Sequence, residues 1–295
     1  MPAVNSEQTT TDWIIPGSGG ERILGTAHAC AAGEPRACVL VAHGFKGYKD
    51  YGFIPVLTAT LAATLPVVAH RFNFSHSGMD EDVTTFGRPD LFELDTWGKQ
   101  IFDLGACIDA AASGRLPETP AGLPIAVLGH SRGGVTCLLT TAARFTEEAP
   151  NKPTCVVTMS APSRANTLSE DDRDMLRETG SIETLSSRTG QTLHIGRAWL
   201  QEQLDDPYSF DVLAACTAIG CPVLAVHGEA DPTVLPGAAT MIADTCPDGR
   251  AHLILNANHV FNTPNPADPH AAPSPALAEL IGVVSSFISA HAIRS

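Results

Sequence analysis

Short apolar runs recur along the chain, spaced so that a helix fits between successive runs. Residues 37–42 (Ala37 to Ala42), 66–70, 124–129, 154–160, 222–227 and 251–256 are continuous and rich in valine, leucine and isoleucine, the pattern of strands buried on both faces. Between them, apolar spacing predicts helices near 52–64, 97–113, 133–146 and 235–245. Leu277, Leu280, Ile281, Val284 and Phe287 repeat at helical spacing and predict a final helix. Residues 13–15 and 22–28 read as two leading strands at an antiparallel edge. Strand alternating with helix defines an α/β chain, with a mostly parallel sheet covered by helices on both faces, and 1–295 reads as a single domain.

The alternation fails between residues 163 and 213. This stretch is polar, carries Glu170, Asp171, Asp172, Arg173 and Asp174, and then has apolar patches such as Ala198-Trp199-Leu200. Its position between two sheet strands predicts an inserted helical cap or lid over the substrate. The plainer alternative is a pair of solvated helices packed on the body without touching substrate. A second irregular stretch, 262–275, holds five prolines and reads as a loop fixing the residues just before it.

Chemistry enters where the strands end. Gly129-His130-Ser131-Arg132-Gly133 lies where the run at 125–128 gives way to helix, so Ser131 sits on a strand-to-helix turn with glycine two residues to either side. Such a turn strains the backbone and leaves no room for side chains at the flanking positions, which reads as a nucleophile elbow. A serine nucleophile needs a base, an acid that orients the base, and N–H donors for the oxyanion. Asp231, in the loop after 222–227, is the candidate acid; His259, in the loop after 251–256, is the candidate base. The turn His43-Gly44-Phe45-Lys46-Gly47 follows the first buried run. Its Phe45 amide, with the amide of Arg132, makes the candidate oxyanion hole.

Each assignment has a rival. Glu229 shares the loop of Asp231, and Asp231 could instead cap a following helix opened by Pro232. His270 is the alternative base. His227 and His252 lie within or at the end of strands and read as packing residues, and so does His130 beside the serine. Phe45, Trp199, Tyr208 and Phe210 could line an aromatic acyl pocket or form a small core within the cap.

The ordered set His43-Gly44-Phe45, Gly129 to Gly133, Asp231 and His259 resembles the α/β-hydrolase superfamily across most of the chain. Within it, HGFKGYKD (43–50), RFNFSHSG (71–78) and HGEADPTV (227–234) are similar to small esterases of the feruloyl or cinnamoyl esterase and dienelactone hydrolase-like group. The resemblance implies the α/β-hydrolase fold and a serine esterase acting on small or medium esters through an acyl-enzyme on Ser131, without a cofactor. The same parts also serve lactone opening, acyl transfer, perhydrolysis and peptide hydrolysis. A hydrolase-fold receptor with little turnover is the reading from another class. Phe74 to Gly78 departs from the pattern, with bulky residues where the group more often carries a glycine-rich string.

Composition narrows the partners. A formal charge of −14 opposes nucleic acid and anionic membranes and favours neutral or cationic small-molecule substrates. No apolar run reaches transmembrane length, and the N-terminal residues lack the pattern of a secretory signal. Eight scattered cysteines, several within apolar runs, read as buried free thiols in a cytoplasmic protein. Cys216 and Cys221 have no second pair beside them, so no metal site is expected. Oligomeric state leaves no mark on the sequence.

Overall fold

The computed structural model describes residues 9–268 and 271–293. Its main sheet begins with β1 (Thr10–Pro16) and β2 (Arg22–His28), an antiparallel pair. It continues with β3 (Ala37–Ala42), β4 (Val67–Asn73), β5 (Ile125–His130), β6 (Cys155–Met159), β9 (Val223–Gly228) and β10 (Gly249–Ile254). The order is β1-β2-β4-β3-β5-β6-β9-β10, and every neighbouring pair from β4 to β10 is parallel.

Strand periodicity divides the core in two. Along β3, Cys38, Leu40 and Ala42 face one apolar cluster and Ala37, Val39 and Val41 face the other. The first cluster is closed by α3 (Trp97–Ala112), α4 (Arg132–Thr146) and α8 (Gly237–Thr245), and the second by α1 (Ile54–Thr64) and α9 (Pro275–His291). Apolar residues on every side of these strands explain why their sequences read as unbroken hydrophobic runs.

The predicted elements are present, with shifted ends. β4 runs three residues beyond its predicted end, and β10 starts and stops two residues earlier than expected. β10 is an edge strand whose burial pattern is largely exposed, so hydrophobicity marked its ends poorly. The short helix α2 (Pro89–Glu93) left no periodic signal.

The insertion between β6 and β9 is more than helical. It contains α5 (Glu170–Thr179), an antiparallel hairpin of β7 (Ser181–Leu185) and β8 (Thr192–Gly196), α6 (Arg197–Asp205) and α7 (Val212–Thr217). The acidic run is explained by position. Glu170, Asp171 and Asp172 form the first turn of α5, where carboxylates meet the positive helix end, and Ser169 Oγ caps the amide of Asp172 at 3.1 Å. The insertion is tied to the body: Glu202 of α6 accepts from the Trp97 and Gly98 amides at the start of α3, and Gln191 pairs with both main-chain groups of Phe86.

Candidate active site

Every candidate residue lies just past the carboxyl end of a parallel strand, where ligand sites of open α/β sheets form. Ser131, between β5 and α4, has φ 54° and ψ −122°, a left-handed conformation that a side-chain-bearing residue adopts only under constraint. The constraint is visible: the Ser131 amide donates to Met159 O at 2.8 Å, and its carbonyl accepts from Gly134 N at 2.9 Å. A Cβ on Gly129 would lie 2.2 Å from the Gly133 carbonyl oxygen, so the strand and helix can approach only without one.

Asp231 and His259 are brought together. Nδ1 of His259 donates to Asp231 Oδ2 at 2.8 Å. Asp231 is buried, and its Oδ1 accepts from the amides of Thr233 (2.8 Å) and Val234 (3.1 Å). Burial opposes its ionisation, but the bonds from His227, His259 and Val234 outweigh it and hold the carboxyl well below the usual range. The carboxylate therefore caps a local turn, and not a helix, since α8 begins only at Gly237. Glu229 is exposed on the same loop, and no bond joins it to His259. His270 lies outside the described residues.

The Ser131 hydroxyl has no hydrogen-bond partner among the described residues. Its neighbour His130 links the two loops instead: His130 Nε2 donates to the carbonyl of His259 at 2.9 Å. His130 is buried, and burial followed by the nearby His259 lowers its pKa to about 3, so it serves as a neutral donor. The His259 segment is further shaped by Asn258 and Asn262. Asn258 Oδ1 accepts from Asn262 N (2.8 Å) and Val260 N (3.1 Å), while Asn262 Oδ1 accepts from Asn258 N at 3.0 Å. Sequence reading passed over both asparagines, although their placement around the histidine carries the signature of Asx turns.

The His43 turn packs directly on the serine. A Cβ on Gly44 would stand 2.8 Å from Ser131 Cβ. His43 is buried with its pKa lowered to about 4 by burial; its Nδ1 donates to Gly44 O at 2.8 Å, and its Nε2 accepts from Phe74 N at 3.4 Å. Neither the Phe45 nor the Arg132 amide reaches a protein acceptor among the described residues. The bulky Phe74 to Gly78 segment is anchored by Asp103, which accepts from Ser75 N, Ser75 Oγ and Ser18 N, each at 2.7 Å.

Ser131, Phe45 and Arg132 open onto a cavity of about 360 Å³, roofed by the insertion through Ile182 of β7 and Ile195 of β8. A larger cavity of about 950 Å³ lies alongside, between the insertion and α8, and does not reach Ser131. The two share Pro162, Thr167, Thr233 and Val234. The proposed aromatic lining divides: Phe45 faces the smaller cavity, Phe210 the larger, Trp199 is buried at 2% exposure, and Tyr208 stands 87% exposed. His227 reaches Asp231 at 3.1 Å while fully buried, a placement beyond simple strand packing. All eight cysteines are free thiols. No described helix is long and apolar enough to cross a membrane.

This architecture, with its elbow at the end of β5, is the α/β-hydrolase fold. No family model and no curated protein matches the sequence. Among solved structures the chain is similar to Est1E from Butyrivibrio proteoclasticus, at TM-score 0.67 and 16% identity over 95% of this chain and 98% of that one. The same protein with ferulic acid bound gives 0.68 and 18% over the same shares. An esterase from Pyrobaculum calidifontis gives 0.64 and 16% over 97% of this chain and 86% of that one. Identities this low establish the fold.

Proposed function

We propose that the protein is a serine hydrolase of carboxylic esters. The observation that carries this reading is Ser131 on a strained elbow, its hydroxyl uncommitted, beside two uncommitted amides at a cavity lined in part by the insertion. His259, held by Asp231, takes the Ser131 proton as the hydroxyl attacks the acyl carbon. The amides of Phe45 and Arg132 receive the oxyanion. The alkoxide leaves with the proton from His259, and water then releases the acid by the reverse roles. The Ser131 hydroxyl makes no hydrogen bond to His259 without substrate, and the mechanism requires that bond to form as substrate binds. The insertion acts as the cap over the acyl group, and the adjoining larger cavity has room for the rest of the substrate. The Pyrobaculum calidifontis esterase among the structural neighbours supports the same chemistry.

The test is hydrolysis of p-nitrophenyl esters from acetate to decanoate and of methyl ferulate, with Ser131→Ala alongside. Turnover by the intact protein and a fall in kcat on the order of 10⁴ or more in the folded variant are expected. Near-normal turnover in Ser131→Ala overturns the assignment, and inertness toward every ester moves the reading to a receptor.

A further inference from the structure

The side chain of Arg132 has no role in the proposed oxyanion hole, yet its surroundings are specific. Arg132 is 7% exposed, and its guanidinium lies 4.0 Å from the Phe45 ring centroid and 4.8 Å from that of Trp199 on the insertion. None of its N–H groups donates a hydrogen bond within the protein among the described residues, and it forms no ion pair there. The carboxyl that bears on it electrostatically is Asp95, whose Oδ2 is engaged by Gln100 Nε2 at 2.6 Å and whose Oδ1 is buried without a partner. Burial pushes Asp95 up to about 7, so at neutral pH it is only partly ionised. Burial likewise lowers Arg132 to about 10, leaving it a cation.

With its donors uncommitted on the cavity side, the guanidinium fork matches a carboxylate offering two oxygens. The cavity that Arg132 lines also contains Ser131. Lys46 adds a second cation on Phe45, with Nζ 5.4 Å from the ring centroid, and two of its three donors are spent on Thr184 Oγ1 and Leu185 O. Asp172 and Glu183 line the same cavity from more exposed positions, and Asp172 already accepts from Ser169 Oγ at 2.7 Å.

We infer that Arg132 binds a carboxylate at the far end of the substrate's acyl group, so that the enzyme acts on half-esters of dicarboxylic acids. This rests on the esterase reading and departs from the expectation from net charge, because at contact range the guanidinium outweighs the more exposed Asp172 and Glu183 carboxylates and the anionic surface beyond them. The reaction consumes one water: the acyl carbon–oxygen bond breaks, the alcohol leaves with a proton delivered by His259, and a dicarboxylate is released.

The experiment pairs monoethyl succinate, glutarate and adipate with ethyl esters of the monocarboxylic acids of matching length, followed by pH-stat. The wild type is expected to favour the half-ester in kcat/KM by at least about tenfold at one length, with the preference weakening as salt rises. In Arg132→Gln the half-ester to neutral-ester ratio is expected to fall at least about tenfold, whatever the absolute rates. Arg132→Lys, which keeps the charge on the stack without the fork, gives an intermediate ratio and serves if Arg132→Gln does not fold. Calorimetric binding of glutarate, lost in Arg132→Gln, tests the anion site independently of turnover. A wild-type ratio at or below one throughout, an equal loss on both ester classes in the variant, or glutarate binding that is absent or indifferent to Arg132 overturns the inference. Labelling of Ser131 by a fluorophosphonate reports separately on the esterase reading, so the two failures are distinguishable.

Discussion

Nε2 of His130 donates to the main-chain carbonyl of His259 at 2.9 Å, with the two ring centroids 4.9 Å apart. The residue before the candidate nucleophile thus fixes the backbone of the candidate base. A strand end and a loop separated by more than a hundred residues are set against one another by a neutral imidazole, whose other contacts are Tyr51 and Phe53.

His130→Phe keeps the ring packing and removes the donor. It leaves the His259 carbonyl without its partner, and the expected cost is about 1 kcal/mol, seen as a melting temperature lower by about 2–4 °C. The larger effect falls on turnover. Loosening the base costs about 10- to 100-fold in kcat with a smaller change in KM. Unchanged kcat with a lowered melting temperature would make the bond purely structural.

Asp231 Oδ2 is shared by His259 Nδ1 at 2.8 Å and His227 Nε2 at 3.1 Å, while Oδ1 is held by two amides. Asp231→Asn keeps its carbonyl on the amides and turns its NH₂ toward both imidazoles, so His259 must adopt the wrong tautomer. A kcat loss on the order of 10⁴ is expected with the fold retained. His227→Phe removes one of the two imidazole donors and leaves the His259 bond in place, so its loss should be about tenfold. Comparable losses in the two variants would show that His227 orients the carboxylate as strongly as the carboxylate orients His259.

Gly44 gives a steric test of the oxyanion turn. A methyl group there meets Ser131 Cβ at 2.8 Å and His130 O at 3.0 Å, so the turn must move away from the serine and take the Phe45 amide with it. Gly44→Ala is expected to lower kcat by about 10²–10³, the usual effect of losing one oxyanion donor. Gly237→Ala, where nothing lies within 4 Å, should leave kcat unchanged and match or exceed the wild-type melting temperature. Equal activities in the two variants would remove Phe45 from the oxyanion hole.

The frame around these residues was legible because burial on both sheet faces writes itself as unbroken apolar runs, and a nucleophile elbow forces glycine at fixed offsets. Ser131, Asp231 and His259 could each be placed on a loop after a strand for that reason. The hairpin of the insertion escaped notice because Ser181–Leu185 and Thr192–Gly196 are half-exposed and carry polar residues on their open side. The contacts of Arg132, His227 and Asn258 are set by partners distant in the chain, such as Trp199 for Arg132, and local pattern holds no record of such pairs.

Five of the six imidazoles buried among the described residues make acid stability the sharpest global test. His28, His43 and His76 are lowered to about 4, and His70 and His130 to about 3, with burial the leading cause for each. In the unfolded chain each takes up a proton near pH 6.5, whereas the folded protein resists protonation until pH 3–4. The unfolded state therefore binds more protons in that window, and stability falls as pH falls, by up to about 1.4 kcal/mol per pH unit for each imidazole. Asp95, Asp103 and Glu202 work the other way, since burial raises them and the folded form takes up their protons first. Asp231 and Asp50, both held low, add their loss only below about pH 4. Histidines outnumber the opposing carboxyls, and a native protein has only about 5–15 kcal/mol to lose. Denaturant titrations at fixed pH should show stability level above about pH 7.5 and cooperative unfolding between about pH 6 and 4, earlier than carboxylate protonation alone would bring. In His70→Gln the slope of stability against pH should diminish by about one proton. A flat stability profile down to pH 4.5 would mean that these imidazoles are protonated within the folded protein.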